Sequence, residues 1–427
     1  MKIFSINESP ERNCLMKIYS FLGMPFMRVE TTLSRRRVYL LGVRVISLKW
    51  KSFRCSARDV VKKINLIKDS SITCWFDHML GGGTDVYSVA AFKAYINKKE
   101  QVLRIQSIAN KKEVFITFYG GNDNFSSFSL DSFDEVKEIL SLIKFKRIVI
   151  NNIVGYANSL NVLDDVINCK KNSAVSVRFN VHDFHCVCPS FNLVDCSGRF
   201  CGLNLKKCPE CFPLIRLGNN KAEHEILISG ANDILKWREL WKRFLSKYCD
   251  EIFAFSDSSK SILLKVYPEL EEKVRVIPHE VPEIKPARVK MHQGIRVAFL
   301  GNISSVSKGR DVIKKLADVA DNHNIEFFVI GECANVSDKV KVTGRYKIND
   351  LTSIVETLEI DMIIIPSIWA ETFSYTTSEA INLQLPVACF DYGAQAEKVK
   401  KYSKGLILPS EEPKEIIQKI EKYFLAA

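Results

Sequence analysis

The sequence predicts an α/β fold made of two Rossmann-like, doubly wound domains in series. Three observations carry this. Continuous apolar runs alternate with helical patterns from residue 72 to 278, the same alternation returns from 296 to 424, and all periodicity breaks between them in "HEVPEIKPARVKMHQG" (279–294). Fully apolar strands alternating with helices indicate a parallel sheet covered on both faces. Ligands of such sheets sit at the carboxyl ends of the strands, so a central cleft faced by both domains is the expected active site.

Residues 1–70 are expected to be a basic, irregular extension. One hairpin is predicted within it, because "RRRVYLLGVRVISLKWK" alternates on both sides of Leu41-Gly42. A first domain follows over 71–283. Its strands are predicted at 72–77, 102–107, 113–118, 146–150 and 175–181, with helices at 83–97 and 131–144. "EIFAFS" (251–256) and "VRVIP" (274–278) close it, and a cysteine-rich insertion occupies 186–211. The prolines of 279–294 mark a linker. The second domain, 284–427, is expected to carry strands at 296–301, 326–331, 341–346, 361–367 and 385–393. Its helices are placed at 308–322, 348–358, 375–383 and 412–424.

The bulk properties agree with two or three soluble domains. The chain has 427 residues, 47% of them apolar and 26% charged. No apolar run reaches the ~18 residues of a spanning helix. The start, "MKIFSINESPERN", has no apolar core of a signal peptide. Single, scattered cysteines in apolar surroundings read as reduced thiols. The expected location is the cytoplasm. Net charge is +12, and residues 28–68 hold twelve Lys/Arg against Glu30 and Asp59. Such a segment suits anionic lipid, nucleic acid or an acidic substrate, or is a solvated face.

Two stretches of the second domain carry chemistry. In "PSIWAETFSYTTSEA", Ser374, Tyr375 and Thr376 open a helix, whose unpaired N–H groups and dipole favour phosphate. Glu379 lies about one turn in, and Glu371 precedes the helix, where it can reach a polyol. In "FLGNISSVSKGRD", Lys308-Gly309 opens the next helix after a strand, a setting that suits a diphosphate. The Gly-x4-Gly-Lys-Ser/Thr frame of a P-loop is absent.

Together with "LPVACFDYGAQAE", these motifs resemble the retaining GT-B glycosyltransferases of family GT4, most closely bacterial surface-polysaccharide enzymes of lipopolysaccharide or capsule type. The resemblance covers roughly residues 72–411. It implies a GT-B fold and a nucleotide-diphosphate sugar bound mainly by the second domain. Glu371 would bond sugar hydroxyls, Glu379 the ribose, and Lys308 with the backbone of Phe373, Ser374, Tyr375 and Thr376 the diphosphate. The family often has an arginine six residues before this lysine; Asn302 stands there instead, which weakens the charge clamp.

The first domain offers two further features. "GGGT" follows a strand and precedes a helix, with Thr84 or Asp85 as the expected cap. By resemblance this loop, with Gly82 and Gly83, faces the donor phosphates and the acceptor. "RFNVHDFHCVCP" places His182-Asp183 at a strand end, and His182, rather than His185, matches the family histidine that contacts the donor sugar. The resemblance implies transfer with retention, no covalent enzyme intermediate and no required catalytic metal. Glu371, His182 and Lys308 are the expected catalytic residues. The acceptor would be a glycan or a polyprenyl-diphosphate-linked glycan, and the enzyme would sit in the cytoplasm or peripherally on the inner face of the plasma membrane.

Cys188, Cys201, Cys208 and Cys211 follow C-x12-C-x6-C-x2-C, whose last pair has the knuckle spacing of structural zinc. Free thiols and an iron–sulfur or redox pair stay open beside it. A basic zinc-knuckle nucleic-acid-binding protein and an inactive sugar-binding paralogue are the competing functions. The first explains fewer residues than two sugar-nucleotide domains do, so no nucleic-acid partner is expected.

Overall fold

The structure is a computed structural model of the chain. It describes residues 4–426 except 12–13, 22–23, 33–34, 42, 50–52, 68–70, 80, 108–112, 121–124, 157–158, 217–232, 320–322 and 335. Two compact units emerge. The first comprises 1–180, 227–231 and 240–253; the second comprises 181–226, 232–239 and 254–427.

The first unit opens with five strands, β1 (Phe4–Glu11), β2 (Cys14–Phe21), β3 (Met24–Thr32), β4 (Arg35–Leu40) and β5 (Val43–Lys49). They pair consecutively and antiparallel into one meander. The predicted hairpin is β4–β5; Gly42 at its turn lies outside the described residues. The rest of this segment is not irregular as expected. Stretches such as "MRVETT" and "VRVISL" are rich in residues that fit a pleated surface.

The main sheet of this unit holds β6 (Phe53–Arg54), β7 (Ile72–His78), β8 (Gln101–Ser107), β9 (Val114–Tyr119), β10 (Phe125–Leu130), β11 (Phe145–Ile150), β12 (Ser176–Asn180) and β13 (Glu251–Ala254). Their order is β13-β12-β11-β7-β8-β9-β10-β6. β13, β12, β11, β7 and β8 run parallel, whereas β9 is antiparallel to β8 and β10. The departure from a purely parallel sheet has a simple cause. The links before and after β9 are too short for the crossover of about a dozen residues that parallel strands need. Helices α1 (Ala57–Ile67), α2 (Gly83–Asn97), α3 (Asp134–Leu142) and α4 (Ser159–Lys171) connect this unit.

β7 and β8 are buried along their whole length. Their polar members are paired. The Arg104 guanidinium donates to Asp77 at 2.7 Å and to Asp85 at 2.8 Å, and Ser88 donates to Asp77 at 2.7 Å. Asp85 is therefore tied to this ion cluster. The residue at the cap position of α2 is Gly82, not the expected Thr84 or Asp85.

In the second unit the chain runs through a long loop, α5 (Cys208–Arg216), the first residues of α6 (Ile234–Lys247), α7 (Asp257–Val266) and the short β14 (Val274–Val276). Then come β15 (Ile295–Asn302), α8 (Arg310–Val319), β16 (Ile325–Glu332), β17 (Lys341–Val342), α9 (Leu351–Thr357), β18 (Met362–Ile365), α10 (Tyr375–Asn382), β19 (Val387–Phe390), α11 (Gly393–Lys401), β20 (Gly405–Leu408) and α12 (Pro413–Leu425). Six strands form a wholly parallel sheet in the order β17-β16-β15-β18-β19-β20.

Alternation along each strand feeds two cores. Val297, Phe299, Met362, Ile364, Ala388 and Phe390 face Ile313 and Leu316 of α8 and Ile416, Ile417 and Ile420 of α12. Ala298, Leu300, Ile363, Ile365, Val387 and Cys389 face α9, α10 and α11 through Val355, Ala380, Leu383 and Val399. This is a doubly wound sheet. The segment 279–294 carries no regular structure, as expected, and lies along the second unit: Ala287 N–H donates to Leu383 O at 3.0 Å, and Arg288 N–H to Glu356 at 2.9 Å. Among the described residues, no helix is long and apolar enough to cross a membrane.

Candidate functional site

The strand order of the second sheet reverses between β15 and β18. From β15 the chain winds outward through β16 to β17; from β18 it winds the other way to β20. Such a switch point opens a crevice beyond the carboxyl ends of the two strands. The segment after β15 carries Lys308, and the segment after β18 carries Glu371.

The two segments are fastened together. Ile368 N–H donates to Ser307 O at 3.0 Å. Gly309 lets the backbones approach: it holds φ 90°, and a Cβ there would stand 2.1 Å from Pro366 O. Gly393, which opens α11, is needed for the same reason, since its Cβ would stand 2.5 Å from Ala370 Cα. The buried Gln395 completes the fastening. It accepts from Glu371 N–H at 3.1 Å and donates to Trp369 O at 2.6 Å.

At the centre Lys308 Nζ donates to Glu371 Oε1 at 2.6 Å, and Ser367 Oγ donates to the same oxygen at 2.6 Å. The Lys308 ammonium also stands 5.4 Å from the centre of the Trp369 ring. Burial works to raise the Glu371 carboxyl. The charge and hydrogen bond of Lys308, with the hydroxyls of Ser367 and Ser374, outweigh it and hold Glu371 below the ordinary carboxylate range. Glu371 is thus an anion with acceptor capacity, and Lys308 is a half-exposed cation beside it.

Ser374 precedes α10 in the left-handed region at φ 60°. Its hydroxyl lies 2.7 Å from that of Thr377. Thr376 abuts the end of β15, where a Cβ on Gly301 would stand 3.0 Å from its methyl. The first N–H groups of α10 are therefore presented at the switch point. Glu379 accepts from the Tyr346 hydroxyl at 2.9 Å. Asn302 is exposed, and its Oδ1 takes up Ser304 Oγ at 2.7 Å in a local turn.

Phe373 and Tyr375 belong to a ring stack. His279 lies 4.5 Å from Phe373, 5.2 Å from Tyr375 and 4.1 Å from Phe255, and the His182 ring lies 4.4 Å from Phe255. Lys398 Nζ caps the stack 3.4 Å from the Phe373 ring centre. His182 is joined to the Glu371 segment through its carbonyl, which accepts from Thr372 Oγ1 at 3.0 Å. Lys308, Glu371, His182, Phe373, Ser374, Tyr375 and Thr376 thus gather on one wall of the second unit. Gly82 and Gly83 belong to the first unit, where Gly82 holds φ 79° at the start of α2. Ser367, Thr372, Gln395, Lys398 and His279 were missed in the sequence. Ser367 and Thr372 lay inside "PSIWAETFSYTTSEA" and Gln395 inside "LPVACFDYGAQAE", but no role was read for them there.

The cysteine loop is a separate feature. Cys188, Cys196, Cys201, Cys208 and Cys211 line a cavity of about 560 Å³. The described cysteines are free thiols. The four expected zinc ligands line this cavity together. Among the described residues, no group of three or more His, Cys, Asp or Glu side chains is arranged to hold a metal ion. Cys211 turns to Cys196, and the Arg238 guanidinium donates to Cys208 Sγ at 3.3 Å. Burial pushes Cys188 and Cys211 up to about 12. The loop is tied down by other side chains: Trp237 Nε1 donates to His185 O at 2.9 Å, Arg238 Nε to Val187 O at 2.9 Å and the Tyr267 hydroxyl to Cys186 O at 2.6 Å.

Comparison with known proteins bears on the family and the fold. Residues 280–426 match the family described as Glycosyl transferases group 1. No curated protein matches the chain. Among solved structures it is similar to sucrose-phosphate synthase from Thermosynechococcus elongatus, at 11% identity and TM-score 0.52, over 83% of this chain and 90% of that one. It is also similar to the catalytic domain of starch synthase IV from Arabidopsis thaliana, bound to ADP and acarbose, at 12% identity and TM-score 0.50, over 84% and 92%. A third is Anabaena HepE in complex with UDP-glucose, at 12% identity and TM-score 0.50, over 82% and 89%. These likenesses show the fold. The chain has two Rossmann-like α/β units, as in the GT-B fold, and its residues 280–426 match the glycosyl transferases group 1 family.

Proposed function

We propose that the chain is a retaining, GT4-type glycosyltransferase. It moves a sugar from a nucleotide-diphosphate donor to a glycan or lipid-linked glycan in surface-polysaccharide biosynthesis. The observation that carries this reading is the Lys308–Glu371 pair at the sheet's switch point, beside the first turn of α10. A cation and a helix start form a diphosphate site. A carboxylate next to them suits the hydroxyls of the attached sugar. Glu379, which accepts from the Tyr346 hydroxyl, would take the ribose hydroxyls.

The resting pair gives binding a definite order. The arriving diphosphate competes with Glu371 for Lys308, and Glu371 is then released to accept from sugar hydroxyls. The acceptor hydroxyl attacks the anomeric carbon on the face from which the diphosphate departs. Negative charge grows on the leaving phosphate as its bond to carbon breaks. Lys308 and the α10 N–H groups would stabilise that charge. The basic segment 28–68 would meet anionic headgroups or a lipid diphosphate.

A thermal-shift screen with UDP-, GDP-, ADP- and dTDP-sugars tests the donor class, because a bound ligand raises apparent stability. At least one donor should raise the melting temperature of the wild type, and Glu371→Ala should lose transfer of that sugar. No shift with any of the four, or full transfer by Glu371→Ala, would refute the reading. Removing residues 1–70 should lower co-sedimentation with anionic vesicles; unchanged partitioning would remove the membrane role.

A further inference from the structure

We infer that Lys398 is the positioning residue of the Glu371 segment: its ammonium ties the 371–374 loop and the first turn of α10 to helix α11. Lys398 Nζ donates to the Ser374 carbonyl at 3.1 Å and to Ser378 Oγ at 2.6 Å. It sits 3.4 Å from the centre of the Phe373 ring. Three neighbours of Glu371 in sequence or on α10 are therefore held by one cation from another helix.

The position needs such a tie. Ser374 holds a left-handed backbone at φ 60°, which costs a non-glycine residue free energy. Its side chain has no cap bond to the helix start. Lys398 bonds the carbonyl of that strained residue, and so fixes the direction in which α10 begins. Glu371 lies three residues earlier on the same short loop. A shift at Ser374 would move both the carboxylate and the anion-facing N–H groups.

The charged groups around Lys398 are Glu371 from the loop, Glu397 on its own helix and His279 from the segment after β14. Glu397 is engaged elsewhere, by Lys401 at 3.1 Å and by Ser258 N–H at 2.9 Å. His279 stays neutral, since burial and the Lys398 charge push it down to about 3. Tyr375 and Phe373 close the apolar side of the stack. Burial pushes Lys398 down to about 8, against the opposing pull of Glu371 and Glu397. Lys398 is thus charged below about pH 8 and neutral above it, where its attraction to the Phe373 face is lost.

The test is amide hydrogen exchange of residues 371–376, corrected for intrinsic rates, at pH 7 and pH 9.5. Wild-type protection should fall about tenfold at the higher pH, the scale of a desolvated cation–π contact and charge-assisted bonds. Lys398→Met should show the low protection at both pH values, and Lys398→Arg the high protection at both. Equal protection of wild type and Lys398→Met at pH 7 overturns the inference. So does wild-type protection that ignores pH. If Lys398→Met fails to fold, the comparison of wild type with Lys398→Arg decides alone: the inference fails if both lose protection alike at pH 9.5.

A second arm rests on the donor-site reading. Affinity for UDP-, GDP-, ADP- and dTDP-glucose should follow the protection in each variant. A wild type that binds none of the four breaks the glycosyltransferase reading, while the exchange profile still decides the role of Lys398.

Discussion

Each unit buries a carboxylate against a cation, and the two clusters are built differently. In the first unit Arg104, Asp77 and Asp85 are 1%, 1% and 2% exposed. Burial works against the Arg104 charge, but Asp77, Tyr119 and Asp85 more than restore it. Asn151 Nδ2 donates to Ser88 Oγ at 3.0 Å, and the Tyr156 hydroxyl bonds Asp77 O at 3.0 Å, closing the cluster with neutral groups. In the second unit Glu371 is 7% exposed, but its partner Lys308 is 39% exposed. The sealed cluster has no room for a ligand and acts on stability. The half-open pair keeps a cation in reach of solvent at a helix start, where an anion can displace the carboxylate. On the function proposed above, the same chemistry serves structure in one place and recognition in the other.

The sharpest way to break this contrast is at Arg104. Arg104→Met leaves two buried carboxylates unpaired, and denaturant unfolding should show a loss of about 3–5 kcal/mol. Lys308→Met should cost less, about 1–3 kcal/mol, because Glu371 keeps the hydroxyls of Ser367 and Ser374. Its main effect should be on donor affinity. If Lys308→Met unfolds the protein as severely as Arg104→Met, the pair is structural and the contrast fails.

Acid should separate the clusters from the neutral stack around His279. Burial, helped for His279 by the Lys398 charge, pushes His279 down to about 3 and His185 down to about 4. The unfolded chain protonates both near pH 6.5. Between pH 6.5 and about 4 the unfolded state therefore binds more protons, and stability should fall as pH is lowered. The Lys308 contribution held by Glu371 should survive in this window and be lost only below the ordinary carboxylate range, since Glu371 is lowered. A stability profile flat from pH 7 to pH 5 would contradict the buried, neutral histidines. The smallest expected effect is that of Thr372→Val, which removes one bond to His182 O and should cost about 1 kcal/mol in unfolding.

Much of the second sheet was legible in the sequence, because runs such as "RVAFLG", "EFFVIG" and "DMIIIP" are buried on both faces and read as parallel strands. Lys308, Glu371 and the start of α10 were legible for a related reason: glycine, lysine and hydroxyl residues at strand-to-helix turns have local meaning. That Lys308 bonds Glu371 was not legible, since the two were assigned separate tasks and only the neighbouring strands β15 and β18 bring them together. Lys398 and Gln395 were invisible for the same reason. On α11 they look like solvated residues, and their roles depend on the approach that Gly393 permits. The cysteine loop shows the limit of spacing alone. Spacing suggested a four-thiolate site, but spacing does not report that Arg238 bonds Cys208 or that Cys211 turns to Cys196. In the first unit β9 was placed but its antiparallel direction was missed, because apolar strands carry no mark of direction; β10, the serine-rich "FSSFSL", was not read as a strand.

The most direct test of the central claim is isothermal titration with the nucleotide sugar that gives the largest thermal shift, into wild type and Lys308→Met. Loss of a charge-assisted contact to the diphosphate should weaken Kd by at least about tenfold in the variant. An unchanged Kd would mean that the half-open pair is not the donor site.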